Sequence, residues 1–354
     1  MTRADPGAVA PALLEWWQVS GRKDLPWQHD PTPYRVWVSE IMLQQTQVAT
    51  VLRYYDRFLT AFPDVRALAA ANQDQVLHLW SGLGYYARAR NLHLCAQRVA
   101  AEHGGEFPDD IDALVALPGI GRSTAGAVLA LAHNRRHAIL DGNAKRVLAR
   151  FFGVEGWPGR SAVARQLWEL AEASTPTENA ARYTQAIMDL GATLCVRGSP
   201  NCAACPLAEA CIARATNKVG DIPGKAPRRE RPQRQVVVLM VSRADGAVLL
   251  ERRPTDGIWG GLWGLPETEN ISQISAWCER YLGCRPSNME KRPSIQHGFS
   301  HFDLAMQPVH VAIDAATAKV MEADRWLWYK LDEPAQVGLA APVARLLASN
   351  GESA

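Results

Sequence analysis

A glycine-rich turn between two apolar runs is the feature of this chain that most restricts its fold. Pro118 disfavours helix at Leu117, and Gly119 and Gly121 allow backbone angles that other residues resist, so the sequence predicts a turn here. Apolar residues recur at helical spacing after the turn. The amides of this hairpin would then lie at a helix N-terminus, where they suit a phosphate. An ordinary helix-turn-helix corner is the plain alternative.

Composition sets wide limits on the rest of the chain. Its 354 residues are 47% hydrophobic, which is enough to bury substantial cores in two or three domains. The formal net charge of +2 is too small to identify a nucleic-acid-binding protein, so any basic surface must be local. The sequence has neither an N-terminal export signal nor a run approaching the roughly 18 to 20 apolar residues of a membrane span. We expect a soluble, cytoplasmic protein that does not associate with membranes.

Cysteine is distributed unevenly, which suggests a metal site. Four of the seven cysteines fall within seventeen residues, and an odd total in a chain that is not exported argues against a disulfide framework. Four thiolates suit a tetrahedral zinc ion or an iron-sulfur cluster. Zinc sites more often have two Cys-x2-Cys pairs, and this segment has one, so an iron-sulfur cluster is favoured and zinc stays open. The four cysteines are Cys195, Cys202, Cys205 and Cys211.

The first half of the chain reads as a series of helices. The apolar pattern of residues 39–62 predicts one long amphipathic helix, with Ser39 as its N-cap. Glu40 would then lie in the first turn, where the helix dipole lowers the pKa of a carboxyl group. That position counts against a general acid unless burial outweighs the dipole. Shorter helices continue to residue 132, which predicts an all-α domain.

Two polar segments of this domain have both plain and functional interpretations. Residues 82–90 combine flexible glycines with aromatic and arginine side chains, which suits insertion beside bases while phosphates are held. Further along, Asp141 or Asn143 could simply cap the next helix. Lys145, Arg146 and Arg150 would add local positive charge.

Beyond the cysteines the pattern changes to α+β. Proline and basic residues replace apolar periodicity in residues 221–234, as in an interdomain linker. Apolar runs on both sides of Asp245-Gly246 predict a β-hairpin, and residues 272–282 and 302–313 predict a helix and a strand.

Taken together, five segments closely resemble the MutY adenine DNA glycosylases of the endonuclease III-like helix-hairpin-helix superfamily. The hairpin and the cysteine quartet alone indicate only the superfamily. The Gln-Gln-Thr-Gln run and the C-terminal part indicate removal of adenine opposite 8-oxoguanine, and the resemblance covers nearly the whole chain. The segments are residues 39–47, 82–90, 117–121 and 141–143 and the quartet, with further matches at 259–266 and 296–302.

The resemblance implies a multidomain α plus α+β protein. Residues 1–217 would form an all-α helix-hairpin-helix glycosylase domain, with a [4Fe-4S] cluster held by the loop 195–211. Residues 218–234 would be a linker, and residues 235–354 a Nudix-like lesion-recognition domain. The implied partner is double-stranded DNA containing adenine opposite 8-oxoguanine or guanine, bound by a monomer.

The resemblance also assigns catalytic roles. Glu40 would protonate the flipped adenine, Asp141 would stabilise the oxocarbenium-like sugar or its covalent adduct, and Asn143 would help to position it. General acid catalysis typically supplies about 10² to 10⁴ in rate, so a second group is needed. A carboxylate facing the developing positive charge supplies the electrostatic contribution.

Other positions match those with which the family contacts DNA. Gln45, Thr46, Leu83 and Tyr85 match residues that surround the oxidised guanine from the minor groove, and Trp27 matches a wall of the base pocket. Residues 299–301 match the lesion-reading loop. The remaining matches to DNA- and lesion-binding positions are Gln44, Arg88, Gly119, Gly121, Ser123, Lys145, Phe299, Ser300 and His301.

At two places the sequence departs from the motifs of related enzymes, and each departure argues against one related activity. Ser123 lies where the bifunctional enzymes of the superfamily carry a Schiff-base lysine, and a hydroxyl group cannot do that chemistry, which predicts a monofunctional glycosylase. Gly261 and Glu267 match the start of a Nudix hydrolase motif, but the helix that follows keeps only Glu279, so diphosphate hydrolysis is disfavoured. A non-catalytic DNA-binding module with a structural metal is the alternative from another class.

Overall fold

The computed structural model describes residues 4–227, 230–314 and 324–351. Within these ranges the chain forms two compact units. The first unit takes in residues up to 70 and residues 91–227, and the second takes in residues 71–90 together with the C-terminal part. Throughout the described ranges, every helix is too short or too polar to cross a membrane.

The N-terminal two thirds of the chain is helical. Ten of these helices lie wholly in the first unit, whereas α5 and the first turn of α6 belong to the second. In the described residues they are α1 (Val9–Ser20), α2 (Pro33–Leu43), α3 (Val48–Ala61), α4 (Val65–Ala70), α5 (Gln73–Trp80), α6 (Ala87–Glu102), α7 (Ile111–Val115), α8 (Arg122–His133), α9 (Gly142–Phe152), α10 (Ser161–Ser174), α11 (Ala180–Thr193) and α12 (Ile212–Ala215).

Helix α8 forms the centre of the first unit. Its residues 124–130 are all buried, and it packs against α2 and α11, while α11 also packs against α9. Gly126 allows the segment between α8 and α9 to lie close to α8, because a Cβ atom there would be only 2.5 Å from the carbonyl oxygen of Ala138. A continuously buried helix thus joins α2, which carries Glu40, to α11, which in turn packs against α9.

The predicted single helix over residues 39–62 is wrong. Helix α2 begins at Pro33, with the side chain of Thr32 accepting a hydrogen bond from the Arg35 amide at 3.3 Å. Ser39 is buried inside α2 and donates to the Val36 carbonyl at 2.7 Å. The chain then breaks at residues 44–47, where Gln45 has φ +56°. Thr-Pro at residues 32–33 is a helix start signal that precedes the apolar pattern.

A mixed sheet organises the second unit. Its strands follow the order β3-β2-β1-β7-β5, with β4, β6 and β8 pairing β1, β7 and β2. The described elements are β1 (Gln233–Ser242), β2 (Val248–Arg252), β3 (Trp263–Gly264), β4 (Glu267–Thr268), α13 (Ile274–Leu282), β5 (Asn288–Lys291), β6 (Ile295–Gly298), β7 (Asp303–Ala312), β8 (Trp326–Tyr329) and α14 (Ala341–Gly351).

The predicted hairpin, helix and strand of this unit are confirmed. Strands β1 and β2 pair antiparallel on both sides of the Asp245-Gly246 turn, and β1 runs parallel to β7 along its whole length. Helix α13 covers the sheet with apolar residues that pack on those of β1 and β7. Local apolar patterns are sufficient to predict these elements: β1 contains a continuous apolar run with residues 237–241 buried, whereas buried residues alternate along much of β7.

An early segment of the chain joins this C-terminal unit. Asp74 of α5 pairs with Arg252 and accepts a hydrogen bond from Trp263 Nε1 at 3.2 Å. The Tyr86 hydroxyl donates to the Leu339 carbonyl at 2.9 Å. Residues 71–90 are therefore structurally part of the C-terminal unit, although about 140 residues of sequence separate them from β1.

Candidate active site

Glu40 lies near the C-terminal end of α2, contrary to the expectation that it begins a helix. The negative end of a helix dipole does not favour a carboxylate there. Burial, and after it the charge of Asp141, raises the pKa of Glu40 to about 8. The expected lowering of this pKa is therefore wrong, and the group is mainly protonated at neutral pH.

Asp141 approaches the same site from another element. It caps α9, and its carboxylate accepts a hydrogen bond from the Ala144 amide at 2.7 Å. Burial raises its pKa, while the backbone amides of Ala144 and Asn143 and the charges of Arg146 and Lys145 oppose that rise. Burial therefore raises the pKa of both carboxyl groups, and Asp141 differs from Glu40 in having backbone amides that stabilise its charged form.

Arg146 fixes the third predicted catalytic residue. Its Nη2 donates to the side-chain oxygen of Asn143 at 2.8 Å and to the Gly191 carbonyl at 2.6 Å, and its Nε donates to the Cys195 carbonyl at 2.7 Å. Gly191 must be small, since a Cβ atom there would lie 2.6 Å from that of Asn143. From the sequence, Arg146 was assigned only local charge, because its partners are some 45 residues away.

The hairpin has the predicted turn and helix. Helix α7 ends at Val115, α8 begins at Arg122, and Gly119 takes φ +75° between them. Gly121 caps α8 without a side chain and is exposed, so the first amides of α8 face outward. This geometry is compatible with the predicted phosphate contact.

Ser123 and Lys145 lie on the helices that flank Asp141. The Ser123 hydroxyl accepts a hydrogen bond from the Leu140 amide at 3.0 Å and so fastens the residue before Asp141. Lys145 is in the first turn of α9 and is half-buried. The serine that replaces the lysine of bifunctional enzymes therefore has a structural contact in this chain.

Trp27 is buried and packs edge-on against Tyr55, with ring centroids 5.4 Å apart. The loop that carries it is tied to a fully buried carboxylate, because Asp189 accepts from Trp17 Nε1 at 2.9 Å and from Arg22 Nε at 2.8 Å. Sequence reasoning missed this ion pair. The one available signal was an acidic residue among the apolar positions of α11.

Gln44, Gln45 and Thr46 follow α2 directly. Gln45 is exposed and has left-handed backbone angles, and the Thr46 hydroxyl donates to the Gln44 carbonyl at 3.3 Å. Left-handed backbone is uncommon for a residue other than glycine and occurs often at functional sites. The run thus presents an exposed amide side chain on a sharply turned backbone, within the same unit as Glu40.

All four predicted ligand cysteines line one small cavity. Arg150 lies buried beside it, and its Nη1 donates to Cys195 Sγ at 3.4 Å and to the Val196 carbonyl at 2.8 Å. Among the described side chains no three His, Cys, Asp or Glu groups converge on a single ion position. Four thiols around one cavity, with a guanidinium group beside one of them, are a donor set compatible with a metal centre.

The loop at residues 82–90 belongs to the second unit and presents one aromatic side chain. Leu83 is buried, whereas Tyr85 is 51% exposed. Arg88 faces inward: its Nη2 donates to the Leu83 and Gly84 carbonyls at 3.1 and 3.2 Å, and burial lowers its pKa to about 10. In this structure Arg88 shapes the loop.

Residues 299–301 form the turn between β6 and β7. Phe299 stacks on Phe302 at 4.6 Å between ring centroids, and its amide donates to the Phe302 carbonyl at 2.8 Å. Ser300 and His301 are exposed, with Ser300 Oγ 3.4 Å from His301 Nδ1. The turn holds two polar side chains outward on an aromatic base.

The two acidic residues of the incomplete Nudix motif are occupied by ion pairs. Glu267 pairs with Arg253, and Glu279 pairs with Arg285. Each carboxylate therefore has an arginine partner in this structure.

Comparison with known proteins identifies the family. Residues 38–173 match the model of the HhH-GPD superfamily of base excision DNA repair proteins, and residues 237–349 match the NUDIX domain. The chain is 37% identical to the adenine DNA glycosylase of Buchnera aphidicola subsp. Acyrthosiphon pisum, over 95% of either chain. The chain belongs to the adenine DNA glycosylase family. It is also 32% identical to the human adenine DNA glycosylase, over 92% of this chain and 71% of that one.

Solved structures support the fold of the glycosylase part. A thermostable thymine-DNA glycosylase is 27% identical, with a TM-score of 0.54, over 60% of this chain and 97% of that one. A trapped endonuclease III-DNA covalent intermediate is 21% identical, with a TM-score of 0.52, over 61% and 99%. The predicted family, its enzymatic character and the two-part fold of a helix-hairpin-helix glycosylase region followed by a Nudix-like α+β region are confirmed.

Proposed function

We propose that this adenine DNA glycosylase hydrolyses the N-glycosidic bond of adenine opposite 8-oxoguanine or guanine in double-stranded DNA, as a monomer and without strand cleavage. The pair Glu40 and Asp141 carries the proposal. They come from α2 and the start of α9; the charge of Asp141 helps to raise the pKa of Glu40, and backbone amides stabilise the charged form of Asp141. A proton donor and a nearby carboxylate are the two catalytic groups that glycoside hydrolysis commonly uses.

In the proposed reaction, the Glu40 carboxyl group donates its proton to adenine as the bond from the sugar C1′ to the base breaks. Asp141 stabilises the positive charge that develops on the sugar, and water adds at C1′ with loss of a proton. Asn143, held by Arg146, orients the sugar beside Asp141. Each carboxyl group thus supplies a contribution that the other cannot.

DNA binding is assigned to surfaces around this pair. The exposed amides at Gly119 and Gly121, with Lys145, would hold a phosphate near the extruded nucleotide. Trp27 would form a wall of the pocket for the flipped adenine, and Gln44, Gln45 and Thr46 would contact the duplex near the lesion. Extruding a base costs a few kcal/mol, and less at a mismatch, which favours action at mispairs.

In the second unit, the exposed loops would recognise the oxidised base. Leu83 and Tyr85 would wedge the duplex, with Arg88 holding their loop in shape, and residues 299–301 would contact the lesion. The incomplete Nudix motif, in which α13 keeps only Glu279, supports a reading role for the Nudix-like region rather than metal-dependent hydrolysis.

The cysteine cavity would hold a [4Fe-4S] cluster. Cys195, Cys202, Cys205 and Cys211 match its usual ligand set, and Arg150 would stabilise the charge of the Cys195 thiolate. When bound, the cluster supplies a closed structural crosslink between chain segments. The Cys195 carbonyl also contacts Arg146, so the shape of this loop helps to position Asn143.

The decisive experiment is a single-turnover excision assay with adenine opposite 8-oxoguanine, guanine and thymine. We expect fastest release opposite 8-oxoguanine, slower release opposite guanine, and intact strands until alkali is added. Borohydride trapping should be inefficient, because Ser123 cannot form a Schiff base and any strand cleavage would be weak and adventitious. Equal rates on all three duplexes would refute the specificity, and efficient trapping would refute the monofunctional mechanism.

The cofactor has its own test. Iron and acid-labile sulfide, measured together with the visible absorption spectrum, should reveal a cluster in the wild type and its loss in Cys211→Ser. Cys284→Ser is the matched control, since Cys284 is half-buried in the second unit and does not line the cavity. Stoichiometric zinc without sulfide would overturn the assignment.

A further inference from the structure

The proposed wedge loop, residues 82–86, has a backbone conformation that must be stabilised by its surroundings. Gly82, Gly84 and Tyr85 all have positive φ angles, of +103°, +70° and +46°. Tyr85 is not a glycine, so its conformation carries a cost that its surroundings must offset. Arg88 donates to the carbonyls of Leu83 and Gly84 and lies over the Tyr85 ring, 5.6 Å from its centroid. Contacts at the ends of the loop add to this internal support.

The C-terminal end of the loop is anchored to the turn between β2 and β3. Arg90 Nη1 donates to the Gly260 carbonyl at 2.7 Å, and the guanidinium group is half-buried. A charged donor on a partly desolvated carbonyl is among the stronger hydrogen bonds in proteins. Gly261 has φ +74°, and a Cβ atom there would lie 2.6 Å from Gln73 Nε2, so the turn and the residues before the loop are closely packed.

The same turn contacts the proposed lesion reader. Trp259 precedes Gly260 and has φ +54°, a second strained residue that is not a glycine. Its ring lies 5.2 Å from Phe299 and 5.3 Å from His297, measured between centroids. Phe299 in turn stacks on Phe302 at the base of the reader. One contiguous set of contacts thus runs from Arg90 through residues 259–260 to residues 299–302.

We propose that Arg90 and Trp259 are positioning residues that join the wedge loop to the lesion reader, so that 8-oxoguanine recognition by residues 299–301 also fixes the placement of Leu83 and Tyr85. The inference rests on the proposed preference for 8-oxoguanine. Neither residue needs to touch the reacting atoms. A reader and a wedge joined in this way act together, because displacement of one strains the contacts of the other.

A spatial chain of contacts is not by itself proof of energetic coupling, so the test is a double-mutant cycle. Single-turnover excision opposite 8-oxoguanine and opposite guanine is measured for the wild type, Arg90→Met, Phe299→Ala and the double variant. Methionine keeps the packing of the aliphatic stem and removes the guanidinium group. Arg98→Met is the matched control, because Arg98 lies on the same helix α6 but is exposed and pairs with Glu102.

We expect Arg90→Met and Phe299→Ala each to lower the preference for 8-oxoguanine over guanine about tenfold, the effect of one charge-assisted hydrogen bond. The double variant should lose no more than the larger single effect. Arg98→Met should keep the wild-type ratio, and Arg90→Lys, which retains a charged donor, should recover part of it. Thermal unfolding of each variant checks that the protein remains folded.

Three results would overturn the proposal. Multiplication of the two single effects in the double variant would show that loop and reader act independently. An Arg90→Met variant that slows both reactions equally would show a merely structural role while leaving the proposed function intact. A wild type without any preference for 8-oxoguanine would instead remove the proposed function itself, before any variant is compared.

Discussion

The carboxylate pair in the first unit and the aromatic turn in the second differ in their exposure to water. Glu40 and Asp141 lie on or beside buried helices, where loss of water shifts their pKa values. Ser300 and His301 project outward on a turn whose aromatic base is packed beneath them. Bond cleavage requires groups withdrawn from water, whereas recognition requires groups that can reach a partner. The following predictions test this contrast, from the largest effect to the smallest.

Removing the proton donor should have the largest effect. Glu40→Gln keeps the shape of the side chain but cannot release a proton, so we expect excision to slow by about 10² to 10⁴ while DNA binding is retained. The measurement is single-turnover base release at enzyme excess. Glu155→Gln, at an exposed carboxylate paired with Lys218, should behave as wild type. Near-normal excision by Glu40→Gln would show that Glu40 is not the proton donor.

The pH dependence follows from the same burial. Because the pKa of Glu40 is raised to about 8, excision should be sustained at neutral pH and fall by up to about tenfold for each pH unit well above 8. An excision rate that already falls between pH 5 and 6 would mean that Glu40 is ionised in the functional site. Glu40 would then not differ in this respect from an exposed carboxyl group.

Stability should depend on pH with a definite sign. A carboxyl group whose pKa is raised on folding contributes stability below its ordinary pKa of 4.5, and this contribution is lost as pH rises through about 8. Glu40→Gln should therefore unfold at a higher temperature than the wild type at pH 9, with little difference at pH 4. Thermal unfolding at both pH values checks this, and a less stable variant at pH 9 would contradict the burial effect.

Substitutions in residues 299–301 should alter the preference for 8-oxoguanine over guanine more than the rate of bond cleavage. Replacing Phe299, Ser300 and His301 by alanine together should reduce the preference for 8-oxoguanine about tenfold, comparable to the loss of one or two base contacts. The ratio of single-turnover rates on the two duplexes measures the effect. Ser287→Ala, in an exposed residue elsewhere on the same sheet, is the control. An unchanged ratio would assign lesion reading to another surface.

The smallest effect should come from the support of Asp141. Ser123→Ala removes the acceptor for the Leu140 amide, a contact worth about 1 kcal/mol, so excision should slow by about fivefold or less. The 8-oxoguanine preference should remain, because the contact lies in the catalytic unit. A changed preference for 8-oxoguanine with a normal excision rate would contradict the assignment of catalysis to the first unit and lesion recognition to the second.

Local sequence signals determined much of this protein. The Pro-Gly turn, the β-hairpin at Asp245-Gly246 and α13 could be predicted because each depends on residues within a few positions of one another. The cysteine quartet was equally visible, and its members do line one cavity. These features need no knowledge of what packs against them.

Tertiary structure decided the electrostatics and the supports. A cap at Thr32 moved Glu40 from the start of a helix to near its end, and burial beside Asp141 then reversed the expected shift of its pKa. Arg146 and Asp189 took their roles from partners many residues away. Residues 71–90 joined a unit that begins far later in the sequence. Desolvation and long-range pairing depend on neighbours that only the folded chain supplies, so no local pattern could have indicated them.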